Sequence, residues 1–226
     1  MYDYAIITVA KSLDREFEQT KRNVLENKSA NGQWIIVHAD PLAEDHVVDC
    51  NGHVQFVFRE PRGIFQAMNE AIELANARSL YFLNSGDIIF DWNTFALCVE
   101  KSIKSNALVA CAHYVSDVYF KPKSLKYLHV GMPFSHQAMI YPREFLCRKF
   151  LVEYSLSADY EHLRWIDAVS KSCIIEKEGA FARIAPFQAS SDYQKTKAEY
   201  LQIKRIYGDK FNLLTRLKFA KLRLLS

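Results

Sequence analysis

The chain has 226 residues, is half hydrophobic and 13% aromatic, and carries a formal net charge of +3. This composition can bury a sizeable core and excludes a disordered or low-complexity chain. Residues 193–226 hold nine Lys/Arg against Glu199 and Asp209, a net +7, so the first 192 residues sum to −4, which argues against a nucleic-acid-binding body.

Five cysteines (Cys50, Cys98, Cys111, Cys147, Cys173), with no C-x-x-C pair, fit reduced buried thiols better than a disulfide frame or a zinc site. The opening "MYDYAIITVA" has neither the basic nor the long apolar region of a secretory leader, and no apolar run reaches the length of a membrane span. A cytoplasmic protein is expected.

In chain order, strand-length apolar runs fall at "YAIITV" (4–9), "QWIIV" (33–37), "VQFVF" (54–58), "SLYFL" (79–83) and "ALVAC" (107–111). They are nearly continuous rather than alternating, the pattern of strands buried on both faces. Helical patterns lie between them. Over 14–27, Asp14 is placed to cap a helix whose stripe is Phe17, Thr20, Val24 and Leu25. Residues 64–77 put Ile64, Met68, Ile72 and Ala75 on one face, and 92–105 is a third helix. Alternation of strand and helix predicts an α/β fold, a mostly parallel sheet with helices on both faces. After residue 112 the pattern loosens into short strands and loops. A helix capped by Ser157 is expected over 157–169, and 173–187 reads as a hairpin turning at Glu178-Gly179. One unit over 1–192 with a helical tail over 193–226 is the economical organisation.

Four stretches carry possible chemistry. In "REPRGIFQAMNEAI" (59–72), Pro61 and Gly63 break the chain before a helix, where free N–H groups and Arg62 suit a phosphate, or simply a capped helix start. Asn69 in that apolar helix is either exposed or reaching toward a ligand. "NSGD" (84–87) is either a surface turn or a strand end whose carboxylate, Asp87, ligates a divalent cation. His136-Gln137 is a metal or acceptor contact or a satisfied buried pair. Asp159 and Glu161 open a helix, where acids complement the dipole, or where one acts as a general base.

Taken in order, "EPRGIFQAMNEAI … YFLNSGD … PFSHQAMIYPREFL … LSADYEHL" resembles the family 2 glycosyltransferases of the GT-A fold. The similarity is strongest to bacterial enzymes of colanic acid, capsule and O-antigen synthesis, and it runs from "AIITVAKS" (5–12) to about "APFQASSDY" (185–193). The resemblance implies inverting transfer of a sugar from a nucleotide diphosphate to the hydroxyl of a glycan acceptor, one that is lipid-linked. It implies a nucleotide pocket at Thr8, Val9 and Ala10, with His38 and Asp40 after the second strand and Arg62 and Gly63 near the base or diphosphate. Asn69 would support that loop. Asn84, Ser85, Gly86 and Asp87 stand at the metal motif, Asp87 holding Mg²⁺ or Mn²⁺. His136 lies near metal and acceptor, with Gln137 beside it, and Asp159 is the base.

Three departures stand out. His38 replaces the usual first Asp after the second strand, "EPRGI" is one residue shorter than the common "EPDxGI", and Gly86 replaces an aspartate. The last, which thins the metal motif, motivates a rival reading, a nucleotide-sugar-binding scaffold subunit that has lost catalysis, against which the retention of Asp87 and Asp159 argues. A nucleotidyltransferase ranks lower, because "TVAKSLDRE" lacks the glycine-rich loop that chemistry uses. Residues 207–226 space Phe211, Leu214, Leu217 and Leu222 at helical intervals among Lys210, Arg216, Lys218, Lys221 and Arg223. Such a basic amphipathic helix either lies on the anionic inner face of the cytoplasmic membrane or packs back on the domain.

Overall fold

The computed structural model describes residues 1–41, 53–170, 174–186 and 192–209. The strands are β1 (Tyr2–Ala10), β2 (Gly32–His38), β3 (Val54–Phe58), β4 (Ala77–Phe82), β5 (Ile88–Ile89), β6 (Leu108–Val115), β7 (Val118–Phe120), β8 (Met139–Pro142) and β9 (Ile174–Ile184). The helices are α1 (Arg15–Asn27), α2 (Ile64–Leu74), α3 (Trp92–Ser105), α4 (Ala158–Val169) and α5 (Tyr193–Ile206).

One mixed sheet runs β3-β2-β1-β4-β8-β6-β9-β5, with β7 pairing β6 at the side. The first four strands are parallel neighbours. β8 then inserts antiparallel between β4 and β6, and β9 returns parallel to β6. The expected α/β sheet is therefore parallel in its first half and mixed in its second.

Side chains along β1 explain the continuous apolar run. Ala5 and Ile7 enter one core with α2, α4 and α5, while Tyr4, Ile6 and Ala10 enter a second core with α1 and α3. With both faces covered there is no solvent side to alternate with. Each fully buried Ile contributes roughly 2 kcal/mol by area removed from water.

Asp14 caps α1 by accepting from the N–H groups of Glu16 and Phe17 at 3.0 and 3.2 Å. Phe17, Thr20 and Val24 are buried as expected, but Leu25 is exposed, because it lies past the edge of the stripe. The hairpin expected at Glu178-Gly179 is instead a bulge in one continuous strand. Lys177 pairs with Cys111 and Ala180 with Ala112, so two residues are extruded without reversing the chain. Glycine there serves close packing, since a Cβ on Gly179 would meet Thr94 Cγ2 at 3.2 Å.

The C-terminal segment is docked as far as it is described. Tyr200 and Ile203 join the first core, and Tyr200 stacks on Tyr160 with ring centroids 4.3 Å apart. Arg164 grips Asp209, and Lys204 donates to the carbonyl of His129. Residues 193–209 thus pack on the same core as the preceding chain, while 210–226, with most of the expected basic helix, lie outside the described residues.

Candidate active site

A cavity of about 610 Å³ opens at the carboxyl ends of the four parallel strands, the usual place for ligands in open α/β sheets. β1 supplies Val9, Ala10 and Lys11, β2 supplies Val37, His38 and Ala39, and the β4 loop supplies Asn84 and Ser85. Residues 59–64, with Gln66, Ala67 and Glu70 of α2 and Glu16 of α1, form the remaining wall. Gly63 caps α2 at φ 102° with no side-chain hydrogen bond, a conformation that glycine adopts without strain. The first turn of α2 therefore brings free backbone N–H groups and the positive helix end to the cavity wall.

Charge in the cavity is divided. Arg59 pairs with Glu70 at 3.1 Å, and Gln66 donates to the same carboxylate at 2.9 Å. Arg62 and Lys11 make no ion pair among the described residues and line the opening. His38 is buried on the wall, edged by Phe56 and Phe58.

Three residues expected in the pocket, Thr8, Asp40 and Asn69, are not on the cavity wall. Thr8 lies deeper along β1 than Ala10, and its buried hydroxyl accepts from Trp34 Nε1 at 3.0 Å. Asn69 is buried and clips the backbone of Phe150, donating to its carbonyl and accepting from its N–H, both at 2.9 Å. It holds a remote segment rather than the cavity loop. Asp40 lies just beyond β2, where it accepts from the N–H of Leu13 at 3.2 Å.

The turn at Asn84–Asp87 is built from both sides. Thr20 accepts from the N–H of Gly86 at 2.9 Å and donates to the carbonyl of Asp87 at 2.8 Å. Gly86 has φ 88°, and a Cβ there would sit 3.3 Å from Ala185 Cβ. That space leaves little room for the aspartate common at this position in the family the sequence resembles. Asp87 is fully buried, and its Oδ1 accepts from the N–H of Ala185 at 2.9 Å.

Just before β8, His136 lies against Phe82 with ring centroids 4.8 Å apart, its Nδ1 3.1 Å from the Tyr141 hydroxyl. Burial, then His162, pushes the His136 imidazole down to about 3, so it is neutral at physiological pH. Gln137 accepts from the Tyr81 hydroxyl through its backbone carbonyl at 2.8 Å. Asp159 opens α4 half-buried, with Oδ1 accepting from the N–H of Tyr160 at 2.8 Å. Ser157 precedes the helix without capping it through its side chain. Burial first, and then the Asp159 charge, raises the phenols of Tyr141 and Tyr200 well above their ordinary value. Asp87 likewise adds to the burial that raises Tyr81.

Two hydrogen bonds lie between the two carboxylates, Tyr81 to the Gln137 carbonyl and His136 with the Tyr141 hydroxyl. The paired strands β4 and β8 carry the two tyrosines, with Leu80 opposite Tyr141. Neither Asp87 nor Asp159 is part of the cavity wall itself.

No protein-family model and no curated protein sequence matches the chain. Solved structures do. S. aureus TarS 1–349 in complex with UDP superposes with a TM-score of 0.66 and 12% identity, over 91% of this chain and 65% of that one. The mannosyltransferase PcManGT from Pyrobaculum calidifontis, in complex with GDP-Man and Mn²⁺, superposes with a TM-score of 0.67 and 14% identity, over 96% and 68%. The chain shares its fold with these two proteins. At such identities the likeness is one of fold, and this chain spans 65% of the TarS fragment's length.

Within this fold, several wall residues carry signals that motif reading passes over. Lys11, Arg59, Glu60 and Gln66 follow strand ends or open α2. Position at the carboxyl end of a parallel strand is the signal that finds them. Tyr81, Tyr141 and Tyr200 had no such signal, since each looks like core.

Among the described residues no three His, Cys, Asp or Glu side chains gather as a metal site. Asp87 offers one carboxylate, with Oδ1 already accepting from Ala185. A single carboxylate leaves the other ligand positions of a divalent cation to water and a substrate's phosphates. His136, sandwiched against Phe82 and Tyr141, is placed as a packing and hydrogen-bonding residue.

Proposed function

We propose that the protein is an inverting glycosyltransferase that moves a hexosyl group from a nucleotide diphosphate donor to a hydroxyl of a lipid-linked glycan, in bacterial surface polysaccharide synthesis. One observation carries this reading: the cavity at the ends of β1–β4, faced by the N-terminus of α2 with Arg62 and Lys11. Its volume, about 610 Å³, lies within the usual range for small-molecule sites, roughly 300–1,000 Å³. Neighbours of the same fold are held in complex with UDP and with GDP-Man.

In this reading the nucleoside lies against Val9, Ala10 and His38, and the diphosphate meets the α2 N-terminus and Arg62. Asp159 accepts the proton of the attacking hydroxyl as the new glycosidic bond forms. The bond from the anomeric carbon to the diphosphate breaks on the opposite face, which inverts the configuration. A Mg²⁺ or Mn²⁺ ion held by Asp87 and the diphosphate would neutralise charge on the leaving group. Gln137 and the neutral His136 border the acceptor side. Residues 210–226 would hold the protein on the inner face of the cytoplasmic membrane. The rival reading, a binding subunit without turnover, draws on Gly86 in the metal motif and on the absence of Asp159 from the cavity wall.

Ala67 lines the cavity from α2, so Ala67→Trp fills it from a helix surface. Isothermal titration with UDP, GDP and their sugars is expected to show binding to the wild type, weakened at least about tenfold, or 1.4 kcal/mol, in the variant, with an unchanged melting temperature. Equal affinity in the two proteins, or no binding to the wild type, would remove the cavity as the donor site.

A further inference from the structure

The β6–β7 ribbon carries apolar surface that the proposed reaction does not use. Val118, Tyr119 and Phe120 are three consecutive residues exposed at 59, 40 and 43%, and Phe90 and Tyr127 nearby are exposed at 42 and 41%. The ribbon is ordered by a tight turn at Ser116-Asp117, with Ser116 at φ 52°. On one face Tyr114 contacts Tyr119 at 5.3 Å and Phe90 at 5.5 Å between centroids. On the other, His113 stacks on Phe120 at 5.4 Å with the rings 14° apart. Lys121, Lys123 and Lys126 follow, all exposed. Lys126 sits over the Tyr127 ring at 5.4 Å. Across residues 113–130 the single acidic residue is Asp117, and Arg183 stands 3.8 Å from it.

We propose that the β6–β7 ribbon and the lysine-bearing segment after it dock on an anionic lipid bilayer. Large exposed apolar surface in one place marks an interaction site. A protein partner laid on one face of the ribbon would leave the aromatic pair on the other in water, whereas the headgroup region takes both faces at once. Tyrosines suit that region, with an apolar ring inward and a hydroxyl in the polar layer. The lysines extend their ammonium groups to acidic headgroups while their stems cover apolar surface.

The docked segment is tied to the acceptor side of the candidate site. Lys123 donates its N–H to Pro133 at 3.1 Å, three residues before His136, and Tyr160 donates to the Leu128 carbonyl at 2.9 Å. If the proposed glycosyl transfer holds, docking here brings a lipid-held acceptor toward Asp159. The docking itself does not depend on that reading.

The test is co-sedimentation of the full chain with phosphatidylcholine vesicles, with and without about a third phosphatidylglycerol. Two variants are compared: Val118→Ser with Tyr119→Ser and Phe120→Ser, and Lys121→Gln with Lys123→Gln and Lys126→Gln. All six positions are exposed, and unchanged melting temperatures verify the folds. The wild type is expected to bind the anionic vesicles. The lysine variant should lose about a hundredfold in affinity for them, from roughly 1 kcal/mol per lysine, and the aromatic variant should lose binding that survives added salt. Unchanged affinity in both variants would overturn the proposal. So would a wild-type dimer abolished by the aromatic variant in sedimentation velocity, which would assign the surface to a second copy. Binding of a soluble acidic glycan, lost in both variants while vesicles do not bind, would assign it to carbohydrate.

Discussion

Asn69 lies in an apolar helix because its amide substitutes for a missing stretch of backbone pairing. Phe150 has no strand neighbour to satisfy its N–H and carbonyl, and both are buried with Asn69 as partner. Replacing Asn69 by Ala would leave both groups without that partner, a penalty of about 2–4 kcal/mol. The midpoint of urea unfolding measures it, and a change under about 0.5 kcal/mol would refute the role. Two acids in the first turn of α4 separate by the same logic. Glu161 is buried and held by both guanidinium nitrogens of Arg148 at 2.8 and 2.9 Å, with the Tyr207 hydroxyl donating at 2.9 Å. Asp159, half-buried, accepts from its neighbour's N–H instead. The sequence "ADYE" presents both carboxylates alike, and Arg148, thirteen residues earlier than Glu161, decides between them.

At the scale of elements, α4 is clamped between the sheet and α5, and its buried imidazole reports on that packing. His162 donates Nε2–H to the Phe145 carbonyl at 2.8 Å, and its ring lies 4.8 Å from Phe150. Burial pushes His162, like His136, down to about 3. Both values lie below the ordinary 6.5, so between about pH 6.5 and 3 the unfolded chain binds more protons than the folded one. Stability is complete above that window and is lost as pH falls through it, at a limiting slope of about 2.7 kcal/mol per pH unit for these two imidazoles, to which His113, pushed by burial down to about 4, adds about 1.4 above pH 4. Urea midpoints measured from pH 7.5 to 4.5 should fall accordingly, and a flat series would show that the two rings are solvated. Several elements were legible in the sequence, such as α1, whose stripe and Asp14 cap agreed, and α3 over 92–105, whose cap at Asp91 the structure adds. β9 was not, because a glycine beside a charged residue marks a bulge and a turn equally, and only pairing with β6 distinguishes them.

For the whole molecule, the order of strands and helices up to residue 105 predicted the parallel half of the sheet and hence the end at which a ligand binds. The antiparallel insertion of β8 was hidden, since "MIYP" is a four-residue run whose partners are β4 and β6, distant in sequence. Of the residues the motifs singled out, Val9, Ala10, His38, Arg62, Gly63, Asn84 and Ser85 share one cavity. Thr8, Asp40 and Asn69 do not, because depth along β1 and hydrogen bonds to residues distant in sequence are invisible to a local pattern. Tyr81 on β4 and Tyr141 on β8, whose phenols are raised by burial first and then by the charges of Asp87 and Asp159 respectively, stand on paired strands. In the proposed transfer Asp159 acts as the base beside a donor bound elsewhere, and Asp159→Asn separates the two. With whichever nucleotide sugar binds the wild type, release of nucleoside diphosphate on transfer should fall by about 10²–10⁴, while nucleotide affinity by titration calorimetry changes by less than about twofold, or 0.4 kcal/mol. Undiminished turnover in that variant, or a loss of nucleotide affinity as large as the loss of turnover, would contradict it.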